Sequence, residues 1–255
     1  MKTMLKKLLF LLLFFSASAF SYDLPKDPLA SVQWDDMYAA FLKEHPAVFD
    51  EKVIVHAPVF AEDPMNVPIT VDASQLGEVK EIIIFADFNP IPLIAKYYPV
   101  KAKPTLSFRF KIQQASPVRA AVLTDDGVWH VGGMWVNSAG GGCTVASTGR
   151  LVGDWADYLG EVYGKEWVNE DANRVRFLIH HPMDTGLVPG IPAFYIEELE
   201  FETEAGEELA SIKLYEPINE NPVLTFDFTP DNKKSTILMS GADNNGNEFE
   251  ARFKP

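Results

Sequence analysis

The sequence predicts an all-β protein made of two immunoglobulin-like antiparallel β-sandwich domains, with an N-terminal helix and a short inter-domain helix. Short runs of β-branched and aromatic residues fall into two blocks, at 52–131 and 174–253. Turn-forming sequences such as Asp125-Asp126-Gly127 and Asn244-Asn245-Gly246 separate these runs. The spacing is typical of sandwiches, and the length suits two domains of roughly one hundred residues each.

The strands follow one another in each block with few interruptions. In the first block we predict strands at 52–57, 67–71, 81–86, 106–112, 118–122 and 128–131. In the second block we predict strands at 174–179, 195–201, 209–214, 223–228, 235–239 and 248–253.

Two stretches have a helical period instead. Trp34, Met37, Tyr38 and Phe41 recur at steps of three and four before Pro46, which predicts a helix capping the first domain. Between the blocks, a set of apolar residues falls on one helical face: Leu151, Trp155, Tyr158, Leu159 and Val162. This amphipathic helix needs a surface to cover, so we expect the two domains to pack as one rigid unit.

Residues 1–19 have the pattern of a secretory signal peptide. Lysines at 2, 6 and 7 precede an apolar run at 8–15 and a small-residue cleavage site at 16–19. The apolar run is too short to span a bilayer, which needs about 20 residues. The sequence therefore predicts an exported protein without a membrane anchor, located in the periplasm.

The charge of the chain is strongly acidic. The formal net charge is −14, and removal of residues 1–19 makes it more negative because three lysines and no acids are lost. Such a charge argues against nucleic acid and anionic membrane surfaces as partners. It would suit a basic protein partner, or serve only for solubility.

Cys143 is the only cysteine, and it follows Gly140, Gly141 and Gly142 in a run of small residues from 138 to 147. No internal disulfide is possible, so an exported protein with one cysteine has either an intermolecular bridge or a free reactive thiol. Three glycines give the backbone unusual freedom. We therefore expect a solvent-accessible, reactive thiol on a flexible arm that projects from the paired domains.

Other interpretations of these residues remain open. Cys143 could be a small buried hydrophobic residue, as free cysteines often are. A copper site with His180, His181 and Met183 would use the ligand types of blue-copper proteins, but no His or Met follows Cys143 closely, so we predict no metal and no cofactor. A cysteine hydrolase would need a base, and His130 is the nearest histidine in sequence.

Motifs in both blocks resemble one known pair of proteins. The segments at 84–93 and 116–120, followed by the glycine-cysteine run, resemble SoxY of the periplasmic sulfur-oxidation system. Arg174-Val175-Arg176, the segment His181-Pro182-Met183-Asp184-Thr185-Gly186 and the segment at 191–196 resemble its partner SoxZ. The chain thus resembles a fused SoxYZ-type carrier, of the kind associated with quinoprotein dehydrogenases.

The resemblance implies a domain order and a function. It implies a SoxY-like domain at 20–138, a glycine-rich cysteine loop and linker helix at 139–168, and a SoxZ-like domain at 169–255. In the family, the SoxY cysteine carries sulfur intermediates, including those derived from thiosulfate, to separate enzymes; Cys143 is the matching position. Unlike SoxY, this chain continues past the cysteine, so the loop is tethered at both ends.

Two functions are therefore expected from the sequence. The first is a non-catalytic carrier that presents a small sulfur-containing cargo to periplasmic sulfur-oxidation enzymes. The alternative is an accessory binding protein of a quinoprotein dehydrogenase or its c-type cytochrome, in which the cysteine is incidental.

Overall fold

The computed structural model describes residues 24–229 and 234–255. The predicted signal peptide at 1–19 lies outside the described residues. Within the described residues, no helix is both long enough and apolar enough to cross a membrane.

The first half of the chain is mostly strand. It begins with helix α1 (Trp34–Phe41). Its strands are β1 (Ala47–Phe49), β2 (Ile54–His56), β3 (Phe60–Ala61), β4 (Val67–Asp72), β5 (Val79–Ala86), β6 (Leu93–Pro99), β7 (Ala102–Phe110), β8 (Ser116–Thr124) and β9 (Trp129–Ser138).

The second half repeats this style after a short helical connection. The connection contains helix α2 (Thr148–Val152) and a 3₁₀ turn (Trp155–Asp157). The strands that follow are β10 (Val162–Trp167), β11 (Asn173–Ile179), β12 (Asp184–Thr185), β13 (Ala193–Phe194), β14 (Ile196–Thr203), β15 (Glu208–Leu214), β16 (Val223–Phe228), β17 (Ile237–Asp243) and β18 (Glu248–Phe253).

The strands form two large sheets that continue through both halves. One sheet has the order β1-β9-β8-β5-β6-β15-β14-β17-β18, with β3 beside β9, and the other has the order β10-β11-β16-β7-β4-β2. Each half is therefore a two-sheet sandwich, as the sequence predicted. The sandwiches join edge to edge, because β6 pairs with β15 and β7 pairs with β16, both antiparallel.

One apolar core fills the space between the sheets. Strands such as β11 and β16 alternate buried and more exposed side chains, which is the two-residue period of a half-buried strand. The inward side chains of both halves belong to a single cluster, in which Tyr97 of the first half contacts Phe226 of the second. The expectation that the halves pack as one unit agrees with this arrangement.

Helix α1 packs on the outside of the larger sheet. It buries Trp34 and Met37 in a second apolar cluster with Phe85 and Trp129. Beneath it, the fully buried Arg119 pairs with Asp27 and Asp87 and lies 4.9 Å from the Trp34 ring centroid. The predicted N-terminal helix is confirmed, and it ends at Phe41, before Pro46.

The predicted short inter-domain helix is present as α2 (Thr148–Val152), but it begins before Leu151 and ends well before Val162, the two ends of the predicted helical stretch. Helix α2 ends at Val152 because Gly153 adopts a left-handed conformation with φ of 88°, a common helix stop. Val162, predicted as the last residue of the helical face, instead begins the edge strand β10. Leu151 is 74% exposed, so it does not belong to a buried helical face.

The continuous sheets predict that the two halves unfold together. Ile212 is fully buried on β15, at the junction with β6. We expect Ile212→Ala to lower the free energy of unfolding by about 2–5 kcal/mol while the protein keeps one urea transition by circular dichroism and by tryptophan fluorescence. Lys213→Ala, at the exposed neighbouring position, is the matched control. Two separate transitions in the wild type would contradict the joined sheets.

Candidate functional site

Cys143 lies at the junction of the two halves, in the loop between β9 and α2. This Cys loop (residues 139–147) folds back onto the protein, and the Cys143 side chain is only 1% exposed. The prediction of a solvent-accessible thiol on a projecting arm is therefore wrong for this state of the protein. The interpretation as a buried small residue describes the observed position.

The three glycines before Cys143 allow a close approach of two backbone segments. A Cβ atom at Gly142 would lie 2.1 Å from the carbonyl oxygen of Pro64 and 2.7 Å from that of Ile112. The amides of Gly141 and Gly142 donate hydrogen bonds to the carbonyls of Gln113 and Ile112, each 3.0 Å long. In this state the glycines hold the loop against residues 111–113, and they do not act as a free arm.

Polar contacts hold Cys143 from both halves of the chain. Its thiol lies 3.6 Å from the carbonyl oxygen of Lys111 and donates to it. Its amide donates to Oε1 of Gln113 at 3.1 Å, and its carbonyl accepts a bond of 2.6 Å from the Thr185 hydroxyl. Lys111 and Gln113 come from the first half and Thr185 from the second, so this site requires both.

Asn89 holds residues 111–113 in place. Its side-chain amide donates to the carbonyl of Lys111 at 2.9 Å, and its side-chain oxygen accepts from the amide of Gln113 at 2.8 Å. This role of Asn89 is visible only in the structure. Asp87, two residues before Asn89, is buried and pairs with Arg119.

Lys111 places a positive charge near the thiol inside the protein. Its side chain is buried, and its ammonium group donates to the carbonyl of Met183. Burial disfavours the charged form of an amine, and it lowers the pKa of Lys111 to about 8. Burial likewise raises the pKa of the Cys143 thiol to about 11, although the charge of Lys111 acts in the opposite direction. At neutral pH the thiol is therefore protonated.

Residues 181–186 close over this site from the second half. Met183 has a left-handed backbone with φ of 49° and presents its carbonyl to Lys111. The buried His181 accepts a bond from the Met183 amide at its Nδ1 atom, and burial lowers the pKa of His181 to about 4. His181 is thus neutral, and its ring stabilises this turn by accepting the hydrogen bond from the Met183 amide.

The chain after Cys143 is fixed by a second set of contacts. Arg150 donates from Nε to Asp184 at 2.7 Å, and its guanidinium lies 4.0 Å from the Trp155 ring centroid. Glu220 accepts a bond of 2.8 Å from the amide of Gly149. Together with the hydrogen bonds of Gly141 and Gly142, these contacts attach both ends of the Cys loop to the protein.

The histidines proposed for the cysteine-hydrolase and copper-site alternatives have other hydrogen-bond and ring partners. His130 hydrogen-bonds to Asp50 at 2.8 Å, and neither residue is among the partners of Cys143. The His180 ring contacts Tyr158 and Tyr163. In the part of the chain that the structure describes, no three His, Cys, Asp or Glu side chains are placed to hold a metal ion.

Sequence reasoning missed Lys111, Gln113 and Thr185 as parts of the site. Thr185 lies within a motif that the sequence analysis quoted, but nothing in the sequence shows that it faces Cys143. Lys111 had no distinguishing signal, since it continues the polar positions Ser107 and Arg109 of the alternating predicted strand at 106–112.

Comparison with known proteins agrees with this two-part arrangement. The family model of the sulfur oxidation protein SoxY matches residues 38–143, and the model of the sulphur oxidation protein SoxZ matches residues 164–254. Together these two matches cover well over half of the chain. The chain therefore belongs to the SoxYZ family of sulfur-oxidation proteins, with a SoxY domain and a SoxZ domain fused in one polypeptide.

A solved structure is also similar to part of the chain. The sulfur carrier protein SoxY from Chlorobium limicola f thiosulfatophilum is 26% identical, and the match covers 42% of this chain and 96% of that one, with a TM-score of 0.37. No curated protein matches the chain significantly. The family comprises carrier proteins of sulfur oxidation, which supports a sulfur-carrier role for this chain.

The buried Lys111 predicts a pH dependence of stability. Above pH 8 the folded protein releases the Lys111 proton, whereas the unfolded chain keeps it up to about its ordinary pKa of 10.5, so stability rises with pH. The raised pKa of Cys143 lowers the free energy of unfolding only above pH 9, which is the ordinary pKa of a cysteine thiol. Between pH 8 and 9 we expect the free energy of unfolding to rise by roughly 1 kcal/mol, measured by urea denaturation.

Lys111→Met should abolish this rise, because the variant has no proton to release at that position. Lys213→Met, at an exposed lysine, should keep it. The same pH dependence in Lys111→Met and in the wild type would show that Lys111 is not the group responsible.

Proposed function

We propose that this protein is a periplasmic, non-catalytic carrier that holds sulfur-containing intermediates covalently on Cys143. The observation that carries the proposal is the position of Cys143. It is the last residue of the segment that matches SoxY, and its carbonyl accepts a hydrogen bond from Thr185 in the segment that matches SoxZ.

The chemistry of loading needs only a thiolate and a sulfur donor. The Cys143 thiolate attacks one sulfur of an S–S bond in the donor, a new S–S bond forms on Cys143, and the other sulfur leaves as a thiolate. The reverse exchange unloads the cargo. This exchange leaves the total number of S–S bonds unchanged, so it requires no separate oxidant.

Loading requires the Cys loop to open first, because the thiol is buried and protonated in the closed state. Opening breaks the hydrogen bonds of Gly141, Gly142 and Cys143 to residues 112–113 and the bond from Thr185. Each such bond contributes about 0.5–1.5 kcal/mol net, so opening is a modest local event that leaves the sandwiches intact. The closed state would shield the thiol between transfers.

The partners that this proposal implies are periplasmic enzymes of sulfur oxidation, with a small sulfur compound, such as one derived from thiosulfate, as cargo. Membership of the SoxYZ family supports partners of this kind. The sequence pattern at residues 1–19 supports export to the periplasm.

A second candidate function rests on the burial of the thiol. A buried cysteine with a raised pKa is a weak nucleophile. If Cys143 only packs, the protein would act in the accessory role, in which it binds a quinoprotein dehydrogenase or its c-type cytochrome.

Intact mass spectrometry separates the two functions. We expect the protein purified from its native periplasm without reductant to carry a sulfur-containing adduct that dithiothreitol removes. Cys143→Ser should carry no adduct and should abolish sulfur oxidation that depends on this protein, because the serine hydroxyl cannot form an S–S bond.

Stability is the control for this variant. The serine hydroxyl can donate to the Lys111 carbonyl as the thiol does, so the variant should unfold within about 1–3 kcal/mol of the wild type. An unmodified wild-type protein, together with full activity of folded Cys143→Ser, would reject the carrier function and support the accessory role.

A further inference from the structure

The outer face of the six-stranded sheet carries a groove that the carrier chemistry does not use. The groove has a volume of about 370 Å³ and crosses strands β4 and β7 of the first half and β16 and β11 of the second. Its polar lining residues are Thr70, Thr105, Ser107, Arg109, Arg174, Arg176, Thr225 and Asp227. The groove is therefore built by the junction of the two halves.

The strand register explains the polar floor of the groove. Ser107 on β7 is directly opposite both Thr70 on β4 and Thr225 on β16, and the hydroxyls of Thr70 and Ser107 are 2.8 Å apart. Because side chains alternate along a strand, the residues two places away on each strand share this outer face. Hydroxyl groups thus form the floor, and arginines stand on the same face.

Positive side chains surround these hydroxyls. Arg109 lies two residues after Ser107 on β7, Arg176 faces Thr225 from β11, and Lys165 faces Arg176 from the edge strand β10. Within residues 24–229 and 234–255, the guanidinium groups of Arg109 and Arg176 have no hydrogen-bond or ion-pair partner.

Two acidic side chains on this face are already engaged. Asp227 accepts two bonds from Arg174, at 2.7 and 2.9 Å. Asp72 accepts bonds from the amide of Ser74 and the hydroxyl of Thr105. The face therefore has a surplus of positive charge, although the chain as a whole has a net charge of −14.

We propose that this surface, the arginine groove, binds an acidic segment of a partner protein. The cations extend from β10 to β7 across three strand intervals, which is about 14 Å at the usual strand spacing. One small oxyanion cannot contact both ends of this distance, whereas successive carboxylates on one peptide can. The planar guanidinium forks of Arg109 and Arg176 suit carboxylates in particular.

The arginine groove lies on a strand that leads to the Cys143 site. Arg109 is two residues before Lys111, and its carbonyl accepts a bond from the amide of Asn219, next to Glu220, which binds the amide of Gly149 after the Cys loop. A partner bound in the groove would contact the protein beside the Cys loop. The proposal does not depend on the carrier function, because Cys143 does not line the groove.

Binding of an acidic peptide tests the arginine groove. The probe is fluorescein-labelled hexaglutamate, and its binding to the full chain is measured by fluorescence anisotropy at low salt, with unlabelled hexaglutamate as competitor. We expect saturable binding that weakens with added sodium chloride. The double variant Arg109→Ser/Arg176→Ser should bind at least tenfold more weakly.

The matched control removes two positive charges from the other sheet. Lys213→Ser/Arg252→Ser changes exposed residues on β15 and β18 and should stay within twofold of the wild type. An absence of saturable binding, or an equal loss in the control, would overturn the proposal. Displacement of the peptide by sodium sulfate much better than by sodium chloride of equal ionic strength would also overturn it, because the groove would then be a site for small oxyanions.

Discussion

The site depends on one short piece of backbone, residues 111–113. This segment receives the amides of Gly141 and Gly142 on one side and the two side-chain bonds of Asn89 on the other. Its first residue, Lys111, also reaches across to the Met183 carbonyl of the second half. A backbone segment with this many partners is stiff, so it provides a fixed surface for the Cys loop.

The edge-to-edge joining of the two sandwiches brings residues of the second half against residues 111–113 and the Cys loop. Because β6 pairs with β15 and β7 pairs with β16, residues 181–186 lie directly over the Cys loop. Thr185 donates a hydrogen bond to the Cys143 carbonyl, and the Met183 carbonyl accepts one from the Lys111 ammonium group. The same pairing builds the arginine groove on the outer face, so the sheet junction forms both surfaces.

Burial also determines the charge states of Lys111 and Cys143. A buried ammonium group and a buried thiol each favour their neutral form, and their mutual attraction opposes this preference. In the closed state the thiol stays protonated at neutral pH. An anionic sulfur on Cys143 would give Lys111 a counter-ion that the free thiol does not provide.

The fold was largely predictable from the sequence because the strands have a clear two-residue period. The predicted strand at 248–253 coincides with β18, and the predicted hairpin turns lie between β8 and β9 and between β17 and β18. The inter-domain helix ends at Val152 and not at Val162 as predicted, because a helical period of apolar residues does not reveal the left-handed turn at Gly153. The pairing of the two halves into continuous sheets also depends on contacts that are distant in sequence.

The burial of Cys143 could not be read from its neighbours in the sequence. A run of small residues is compatible with a mobile arm and equally with a loop that must approach another backbone closely. The decisive distance is that from Gly142 to the Pro64 carbonyl, and these residues are far apart in the chain. The family resemblance points to Cys143 as the carrier position, and the structure shows the surfaces that enclose it.

The rate of thiol modification tests the closed site most directly, since Cys143 is the only cysteine. In the native protein at pH 8, we expect a thiol reagent to label Cys143 at least a hundredfold more slowly than in urea. Thr185→Val, which removes the bond to the Cys143 carbonyl, should increase the native rate several-fold, while Thr225→Val on β16 should not. Native labelling as fast as in the unfolded chain would contradict the buried thiol and the account built on it.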